Sequence, residues 1–328
     1  MKTTAILATG IDRVELAPVE IPAPGPDEVM VEAIYTTISP GTEMRCLAGR
    51  QHGGTFPFIP GYSMVGRIKA RGPGVEIPEG TMVFCRGTQK ADRPLLWGGH
   101  VGLAVCPAAR AIPLPPGADP LDAALASVAA IAYRGMRVAN TRPHDQVAVV
   151  GLGLIGQLSA RLHRLAGARV VAADRDAARV AVAQAAGVEA LRVDSDLVGA
   201  FAAVQPAGAD VVVDSTGVVS VLGQSIRLAK SKPYDDSLTE PTRLVIQGSY
   251  PDDVVFNYNE AFRRELSVLL PRDGQPRDTV AVLGFMATGR LRVRDLVSET
   301  HPPAGAQEVY RSLRAAKPGL ITAVFDWR

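Results

Sequence analysis

The amino-acid sequence predicts an α/β protein that joins a doubly wound parallel sheet to a mostly β unit. From Asp119 onward, Ala- and Leu-rich helical segments alternate with the apolar runs QVAVV, ARVVAAD, ADVVVDS and RLVIQGS, as in successive βαβ units. Before Pro116, β-like runs such as EVMVEAIYTTI and MVGRIKARG are interrupted by clusters of Pro and Gly. This change of pattern predicts two domains of different architecture.

The C-terminal part returns to mixed α and β character. Strand candidates ELSVLL, DLVSET and LITAVFDW surround helical stretches near residues 279–288 and 304–316. We therefore expect residues 263–328 to fold back onto residues 1–118, and residues 119–262 to form the parallel-sheet domain.

A polar segment with two prolines, KSKPYDDSLTEPT at residues 230–242, is longer than a usual connection. It is interpreted as a solvated loop, and a loop that covers a site is the alternative.

Composition excludes several classes of protein. With 328 residues, 47% hydrophobic and 21% charged, the chain can bury two cores. The formal net charge is +2 and the arginines are scattered, which argues against a nucleic-acid partner. Since no apolar run reaches about 18 residues, and the N-terminus lacks a signal-like stretch, we expect a cytoplasmic protein without membrane contact. Cys46, Cys85 and Cys106 are too few for a disulfide framework and should be reduced thiols.

The strongest local signal is Gly151-Leu152-Gly153-Leu154-Ile155-Gly156, which follows the strand QVAVV and begins a helical segment. Glycines here permit a tight turn and let a pyrophosphate approach the N–H groups at the helix start, at Leu154 and Ile155. Asp174 ends the next strand, 18 residues beyond Gly156, where a carboxylate can accept ribose hydroxyls. The pattern predicts a Rossmann domain that binds a dinucleotide; a glycine-rich turn without a ligand is the alternative.

The cofactor predicted from these residues is NAD(H), because a carboxylate at Asp174 would repel the extra phosphate of NADP. Arg175 is a candidate contact to the adenine or to a 2′-phosphate, or else a solvent-facing side chain. Thr216, and Gly248 with Ser249, follow two later strands. We expect them at the same crevice, because ligands of open α/β sheets bind at the carboxyl ends of the strands.

The order of these parts resembles the medium-chain alcohol dehydrogenase superfamily over essentially the full length. The resemblance implies a GroES-like catalytic domain beside the Rossmann domain. It is carried by ISPGTE (38–43), similar to the family's Cys-Gly-Thr-Asp element, by IPGYSMVG (59–66), similar to PGHExxG, by LASVAAIAYRGM, and by the glycine motif. ISPGTE, GYSMVGR, WGGH and the terminal FDWR further resemble the branch that contains 3-hydroxyethyl bacteriochlorophyllide a dehydrogenase.

In that family three of these segments supply the ligands of a catalytic zinc. Here Pro40 stands at the cysteine position, Tyr62 and Ser63 replace His and Glu, and the third segment has neither Cys nor an acid. The cysteine-rich lobe of a structural zinc is also missing. Because a catalytic Zn²⁺ needs three N, S or O ligands, no metal is predicted.

Without zinc, another group must manage the proton of the substrate. Tyr62 is the first candidate, and a packed aromatic ring is its alternative role. The resemblance implies that Thr42 is the family's relay threonine near the nicotinamide ribose; a turn-stabilising Thr is the alternative. His100 is suited to general acid or base work, or is structural.

Four further side chains are candidate substrate contacts. Ser39 and Glu43 belong to the same segment as Thr42, Tyr250 follows a strand end, and Arg272 carries a guanidinium suited to a carboxylate or phosphate. Structural ion pairs are the alternative for Glu43 and Arg272.

The function predicted from the sequence is hydride transfer between NAD(H) and a secondary alcohol or ketone, without catalytic zinc. The alternatives are a zinc-free reductase of an activated C=C bond and a dinucleotide-binding protein without catalysis. The partners expected are a small-molecule substrate and a second copy of the chain, since relatives pair Rossmann sheets edge to edge and the strand near residues 265–271 suits that contact.

Overall fold

The computed structural model describes residues 1–232, 240–250 and 253–328. By proximity of Cα atoms the chain forms two compact units. The β-rich unit comprises Met1–Val128 and Thr279–Arg328, and the parallel-sheet unit comprises Ala129–Asp278. Residues 233–239, the interior of the polar loop singled out from the sequence, lie outside the described residues.

The elements follow one another along the chain as β1 (Lys2–Gly10), β2 (Arg13–Glu20), β3 (Glu28–Thr37), α1 (Pro40–Leu47), β4 (Met64–Arg71), β5 (Met82–Cys85), β6 (Leu103–Pro107), β7 (Ile112–Pro113), α2 (Pro120–Ala123), α3 (Ala126–Val138), β8 (Gln146–Val150), α4 (Leu154–Leu165), β9 (Arg169–Asp174), α5 (Ala177–Ala185), β10 (Glu189–Arg192), α6 (Leu197–Val204), β11 (Val211–Asp214), α7 (Val219–Ile226), β12 (Arg243–Ile246), α8 (Tyr258–Phe262), β13 (Ser267–Leu269), α9 (Pro276–Ala287), β14 (Val297–His301), α10 (Ala306–Arg314) and β15 (Thr322–Asp326).

The β-rich unit is organised around β3. The strand order of its larger sheet is β14-β15-β3-β4-β5-β7, and β6 also pairs with β3. Val29, Met30 and Val31 of β3 are fully buried, so this strand lies in the core of the unit. The C-terminal strand β15 pairs antiparallel with β3, with Val324 opposite Thr37, so β15 of the predicted tail joins the sheet of the N-terminal part, whereas β13, also within residues 263–328, joins the parallel sheet.

The parallel-sheet unit has the strand order β10-β9-β8-β11-β12-β13, and every pair is parallel. The prediction of a parallel sheet from alternating strands and helices is confirmed. The chain runs outward from β8 through β9 to β10, then returns to β11 on the other side of β8. The carboxyl ends of β8 and β11 therefore form the switch point at which such sheets bind ligands.

Residues 40–47 form the helix α1, which the sequence pattern did not predict. Pro40 occupies the first turn of α1, where its missing N–H costs nothing, and Ser39 precedes it with an extended backbone. Within the described residues, no helix has the length and apolar character needed to cross a bilayer. The three cysteines are buried free thiols, as expected.

Candidate active site and cofactor site

The glycine turn after β8 has the shape that the motif predicts. Gly151 adopts a φ of +87°, in the left-handed region that favours glycine. A Cβ atom on Gly156 would lie 1.7 Å from the carbonyl oxygen of Gly151, so a side chain at residue 156 cannot be accommodated. The first turn of α4 therefore packs directly against the strand that precedes it.

The N-terminus of α4 is open to a ligand. Gly153 is the N-cap residue and no side chain caps this helix. A Cβ on Gly153 would meet a single neighbour, Nη1 of Arg179 at 4.0 Å. The N–H groups of the first turn, at Leu154 and Ile155, are therefore available to an anionic group, as in dinucleotide sites.

Asp174 ends β9 beside this turn. Its carboxylate accepts hydrogen bonds from the N–H of Leu152 (2.6 Å) and of Asp176 (2.8 Å). These bonds fix the carboxylate, and each oxygen keeps a lone pair for a ribose hydroxyl. The guanidinium next to this site belongs to Arg179, 4.0 Å from the Asp174 carboxylate, whereas Arg175 is exposed. Sequence reasoning missed Arg179, whose only signal is its place one helical turn beyond Asp174.

Asp214, at the end of β11, organises the two neighbouring strand ends. It is fully buried and accepts hydrogen bonds from the N–H (2.9 Å) and hydroxyl (2.7 Å) of Thr216 and from the hydroxyls of Ser225 and Tyr250. Burial and the Asp214 carboxylate raise the pKa of Tyr250. The Tyr250 hydroxyl, a predicted substrate contact, is thus already engaged with Asp214.

Two hydroxyls at this edge have no partner in the part of the chain that the structure describes: the Oγ atoms of Ser215 and Ser249. A Cβ on Gly248 would lie 2.3 Å from the N atom of Gly217, so these loops pack backbone to backbone. Buried polar atoms without partners are uncommon in folded proteins and call for an explanation. Together with the open helix start and the oriented Asp174, they fit a dinucleotide.

The β-rich unit contains a second cluster, built on Glu43 of α1. Its carboxylate is fully buried and accepts the N–H of Ser39 on Oε1 at 2.7 Å. Oε2 contacts His100 Nε2 at 3.0 Å and accepts the hydroxyl of Tyr310 at 2.6 Å. Glu43 thus has a structural partner in His100 rather than in the neighbouring Arg45, whose guanidinium hydrogen-bonds Gln51.

The neighbours of His100 determine its tautomer. Trp327 Nε1–H, which can only donate, hydrogen-bonds the Thr36 hydroxyl oxygen at 3.0 Å. Nε2 faces the Glu43 carboxylate, which accepts its proton in a hydrogen bond, and Nδ1 lies 2.8 Å from the Thr36 hydroxyl. His100 is fully buried among these partners.

Tyr62 joins this cluster through the hydroxyls of Ser39 and Thr42. Its phenol donates to Ser39 Oγ at 2.6 Å, and Thr42 Oγ1 lies 3.4 Å from it. Burial raises the pKa of Tyr62 and the Glu43 carboxylate adds to this, whereas the two hydroxyls and Arg86 oppose it. The phenol is therefore held in its protonated form with two hydroxyl neighbours.

Gly61, which precedes Tyr62 in the chain, packs directly against the His100 ring. Its φ is +84°, and a Cβ there would lie 2.5 Å from the Cδ2 atom of the His100 ring. A side chain at residue 61 would displace the imidazole from Glu43. The glycine thus serves both the turn and the packing of the cluster.

The residues that match the zinc-ligand positions of the family form other contacts in this structure. Pro40 begins α1, and the Ser63 hydroxyl donates to the carbonyl of Ala124 at 2.6 Å. Within residues 1–232, 240–250 and 253–328, no group of three or more His, Cys, Asp or Glu side chains is arranged to hold a metal ion.

The structure gathers Ser39, Thr42, Glu43, Tyr62 and His100 into one cluster of the β-rich unit. It gathers the glycine motif, Asp174, Thr216, Gly248 and Ser249 at one edge of the parallel sheet. Arg272 is exposed beyond β13 and joins neither group.

Comparison with known proteins agrees with this architecture. Residues 25–116 match the family of alcohol dehydrogenase GroES-like domains, which confirms the predicted GroES-like unit. A solved dehydrogenase of the zinc-binding type from Sinorhizobium meliloti, bound to NADP, has a TM-score of 0.85 and 25% identity, with 99% of each chain covered. Over nearly its whole length the chain is similar to dehydrogenases of the alcohol dehydrogenase type.

Two named relatives indicate the kind of enzyme that the chain resembles. The 2-desacetyl-2-hydroxyethyl bacteriochlorophyllide A dehydrogenase of Cereibacter sphaeroides is 27% identical, over 100% of this chain and 99% of the relative. The L-galactonate-5-dehydrogenase of Escherichia coli is 26% identical, over 89% of each chain. Both names describe dehydrogenases, so the chain is related to oxidoreductases over nearly its whole length.

Proposed function

We propose that the protein is a zinc-independent dehydrogenase that interconverts a secondary alcohol and a ketone with NAD(H), and that Tyr62 transfers the proton. The observation that carries the proposal is the Tyr62 phenol. It stands at a position where zinc-dependent members of the family have a ligand, and it lies beside two hydroxyls, at 2.6 and 3.4 Å. Both named relatives are dehydrogenases, and the name of one contains a hydroxyethyl group.

The proton chemistry follows from the surroundings of Tyr62. In ketone reduction the phenol gives its proton to the carbonyl oxygen, and the hydroxyls of Ser39 and Thr42 stabilise the phenolate until solvent replaces the proton. In alcohol oxidation the proton moves the other way. Burial, with a smaller contribution from the Glu43 carboxylate, raises the pKa of Tyr62 and keeps the resting phenol protonated.

The cofactor residues are the glycine motif, Asp174, Ser215 and Ser249. When bound, the nicotinamide ring supplies or accepts the hydride. The first turn of α4 binds the pyrophosphate, Asp174 accepts the ribose hydroxyls, and the two orphan hydroxyls acquire partners.

The preference for NAD(H) can be tested separately, because Asp174 and Arg179 favour opposite cofactors. We expect Asp174→Ala to lower kcat/KM with NADH at least tenfold, about 1.4 kcal/mol, while NADPH improves or changes little. Arg179→Ala should impair NADPH use more than NADH use. Equal losses with both cofactors in Asp174→Ala would contradict the assignment.

The main experiment follows NADH absorbance with a panel of aryl and alkyl methyl ketones and matched enones, using protein purified without added metal. We expect ketone reduction, a zinc content far below one per chain, and a loss of about 100-fold or more in kcat for Tyr62→Phe. Tyr35→Phe, in the same unit but outside the cluster, is the control. Turnover of enones alone would indicate a C=C reductase, and no turnover at all would indicate a binding protein.

We further propose a cytoplasmic homodimer joined at β13. This strand is last in the order of its sheet, and Leu270, next to it, is 69% exposed. Light scattering should give twice the chain mass of 34.6 kDa, and Leu270→Arg should shift it toward the monomer. A wild-type monomer at micromolar concentration would contradict the proposal.

A further inference from the structure

Two side chains around Tyr62 take no part in its hydrogen bonds. The indole of Trp97 meets the Tyr62 ring edge to face, with centroids 5.3 Å apart and planes at 84°. The guanidinium carbon of Arg86 lies 5.4 Å from the centroid of the same ring. The Arg86 side chain is exposed and Trp97 is 39% exposed, whereas the Tyr62 ring that both contact is only 6% exposed.

Trp97 is held in an unfavourable backbone conformation. Its φ is +73°, a region that bulky residues rarely adopt. The neighbouring backbone enforces it, because the N–H groups of Leu96 and Gly98 both donate to the carbonyl of Ile59, at 3.0 and 3.1 Å. Strain of this kind persists only where the surroundings impose it, and it is concentrated at functional sites.

The exposure of Trp97 distinguishes a binding role from a packing role. Trp97 is 39% exposed although its backbone is strained, so its side chain is accessible to a ligand. An accessible indole and a guanidinium that contact the same tyrosine ring match a ligand with a flat ring and an anionic group. Aromatic rings stack on indole, and the guanidinium fork pairs with carboxylates.

We propose that Trp97 and Arg86 form the substrate-recognition surface of the Tyr62 site, and that the substrate joins a planar ring system to a carboxylate. The inference rests on the proposed function, since it concerns the substrate of that reaction. Trp97 contacts the ring system beside the carbonyl, and Arg86 binds the carboxylate.

The test uses 4-acetylbenzoate and acetophenone, which differ only in the carboxylate. Binding is measured by titration calorimetry to protein saturated with NAD⁺, in which a ketone cannot be reduced, and turnover is measured separately with NADH. We expect wild-type protein to bind 4-acetylbenzoate at least tenfold more tightly than acetophenone. Arg86→Gln should remove that difference, while Arg110→Gln, an exposed arginine elsewhere in the unit, should keep it.

Trp97→Gly separates recognition from structure. Glycine relieves the positive φ, so the melting temperature should hold or rise, whereas affinity for both probes should fall about tenfold. Trp97→Phe, which keeps a flat ring, should retain affinity within about threefold. A marked fall in melting temperature with unchanged affinity would instead show that Trp97 is structural.

Failure of this inference can be told from failure of the proposed function. Reduction of ketones with affinities that do not depend on Arg86 or Trp97 would overturn the inference alone. Binding of 4-acetylbenzoate that depends on Arg86, without NADH oxidation, would support the recognition surface and overturn the reaction. If neither probe binds, the substrate class is wrong.

Discussion

The two units each contain a fully buried carboxylate, and the two are satisfied in different ways. Glu43 of the β-rich unit takes its donors from three separate segments, the most distant 267 residues away. Asp214 of the parallel-sheet unit takes all of its donors from within 36 residues. Both carboxylates hold a tyrosine hydroxyl, at Tyr310 and Tyr250.

The difference lies in what each carboxylate holds together. Glu43 joins α1, the segment before β6, and α10, and apolar side chains of α1 and α10 also pack together there. Asp214 joins the end of β11 to the loops after β11 and β12, and to α7 through Ser225. Loss of Glu43 leaves buried donors on three elements, whereas two of the residues that donate to Asp214, Thr216 and Tyr250, are only partly buried.

The largest expected effect is on stability. Glu43→Ala should lower the free energy of unfolding by about 3–5 kcal/mol, because it leaves buried polar partners uncompensated. Asp214→Ala should cost less, about 1.5–3 kcal/mol. Urea unfolding measures the difference, and fluorescence reports on the β-rich unit because both tryptophans, Trp97 and Trp327, lie in it. Equal losses of unfolding free energy in Glu43→Ala and Asp214→Ala would contradict the expected difference between the two carboxylates.

A second prediction contrasts the buried histidines of the two units. His100 faces Glu43, but His163 in α4 contacts Thr141 through Nδ1 and its Nε2 has no partner among the described residues. Burial, aided by the charge of Arg243, lowers the pKa of His163 to about 3.

The sign of the pH effect follows from this lowered pKa. Below pH 6.5 the His163 imidazole is protonated in the unfolded chain but stays neutral in the folded unit. The free energy of unfolding therefore falls as the pH decreases. From pH 8 to pH 5 the contribution is about 2 kcal/mol. His163→Gln should flatten the pH dependence of the unfolding free energy by that amount. An unchanged slope in the variant would show that His163 is protonated in the folded unit.

The third prediction compares the two tyrosines that donate to the carboxylates. Tyr310→Phe removes a hydrogen bond to a charged, fully buried group and should cost about 1.5–3 kcal/mol. Tyr250→Phe, whose side chain is only partly buried, should cost about 1 kcal/mol. Thermal unfolding of both variants tests which one loses more stability. A larger loss of stability in Tyr250→Phe than in Tyr310→Phe would contradict the prediction.

The smallest expected effect is electrostatic. Glu43→Gln removes a negative charge that helps to raise the pKa of Tyr62, so this pKa should fall. Ketone reduction needs the protonated phenol, and its rate is lost as the pH rises through that pKa. The alkaline limb of kcat/KM should therefore move to lower pH in Glu43→Gln, and stay in place in Asp214→Asn. A shift in both variants would point to a general loss of stability.

The arrangement of the glycine motif and Asp174 was easier to predict from the sequence than that of the Glu43 cluster, and the range of the interactions explains why. The glycine motif and Asp174 lie within one βαβ segment, so local rules suffice to place them. The partners of Glu43 depend on the packing of α10 and the segment before β6, which no spacing in the sequence reveals. Trp97 was also missed, since its side chain gives no sign of a left-handed backbone.

Gly61 and His100 impose an order on how this chain can change over evolutionary time. Because a Cβ at residue 61 would lie 2.5 Å from the imidazole ring, any substitution of Gly61 is barred while His100 is present. Replacement of His100 by a smaller residue removes this steric conflict, although the φ of +84° at Gly61 still disfavours a side chain, so the histidine must be lost first. The accessible mutational path therefore runs in one direction, and relatives that carry a side chain at residue 61 should have no imidazole at residue 100.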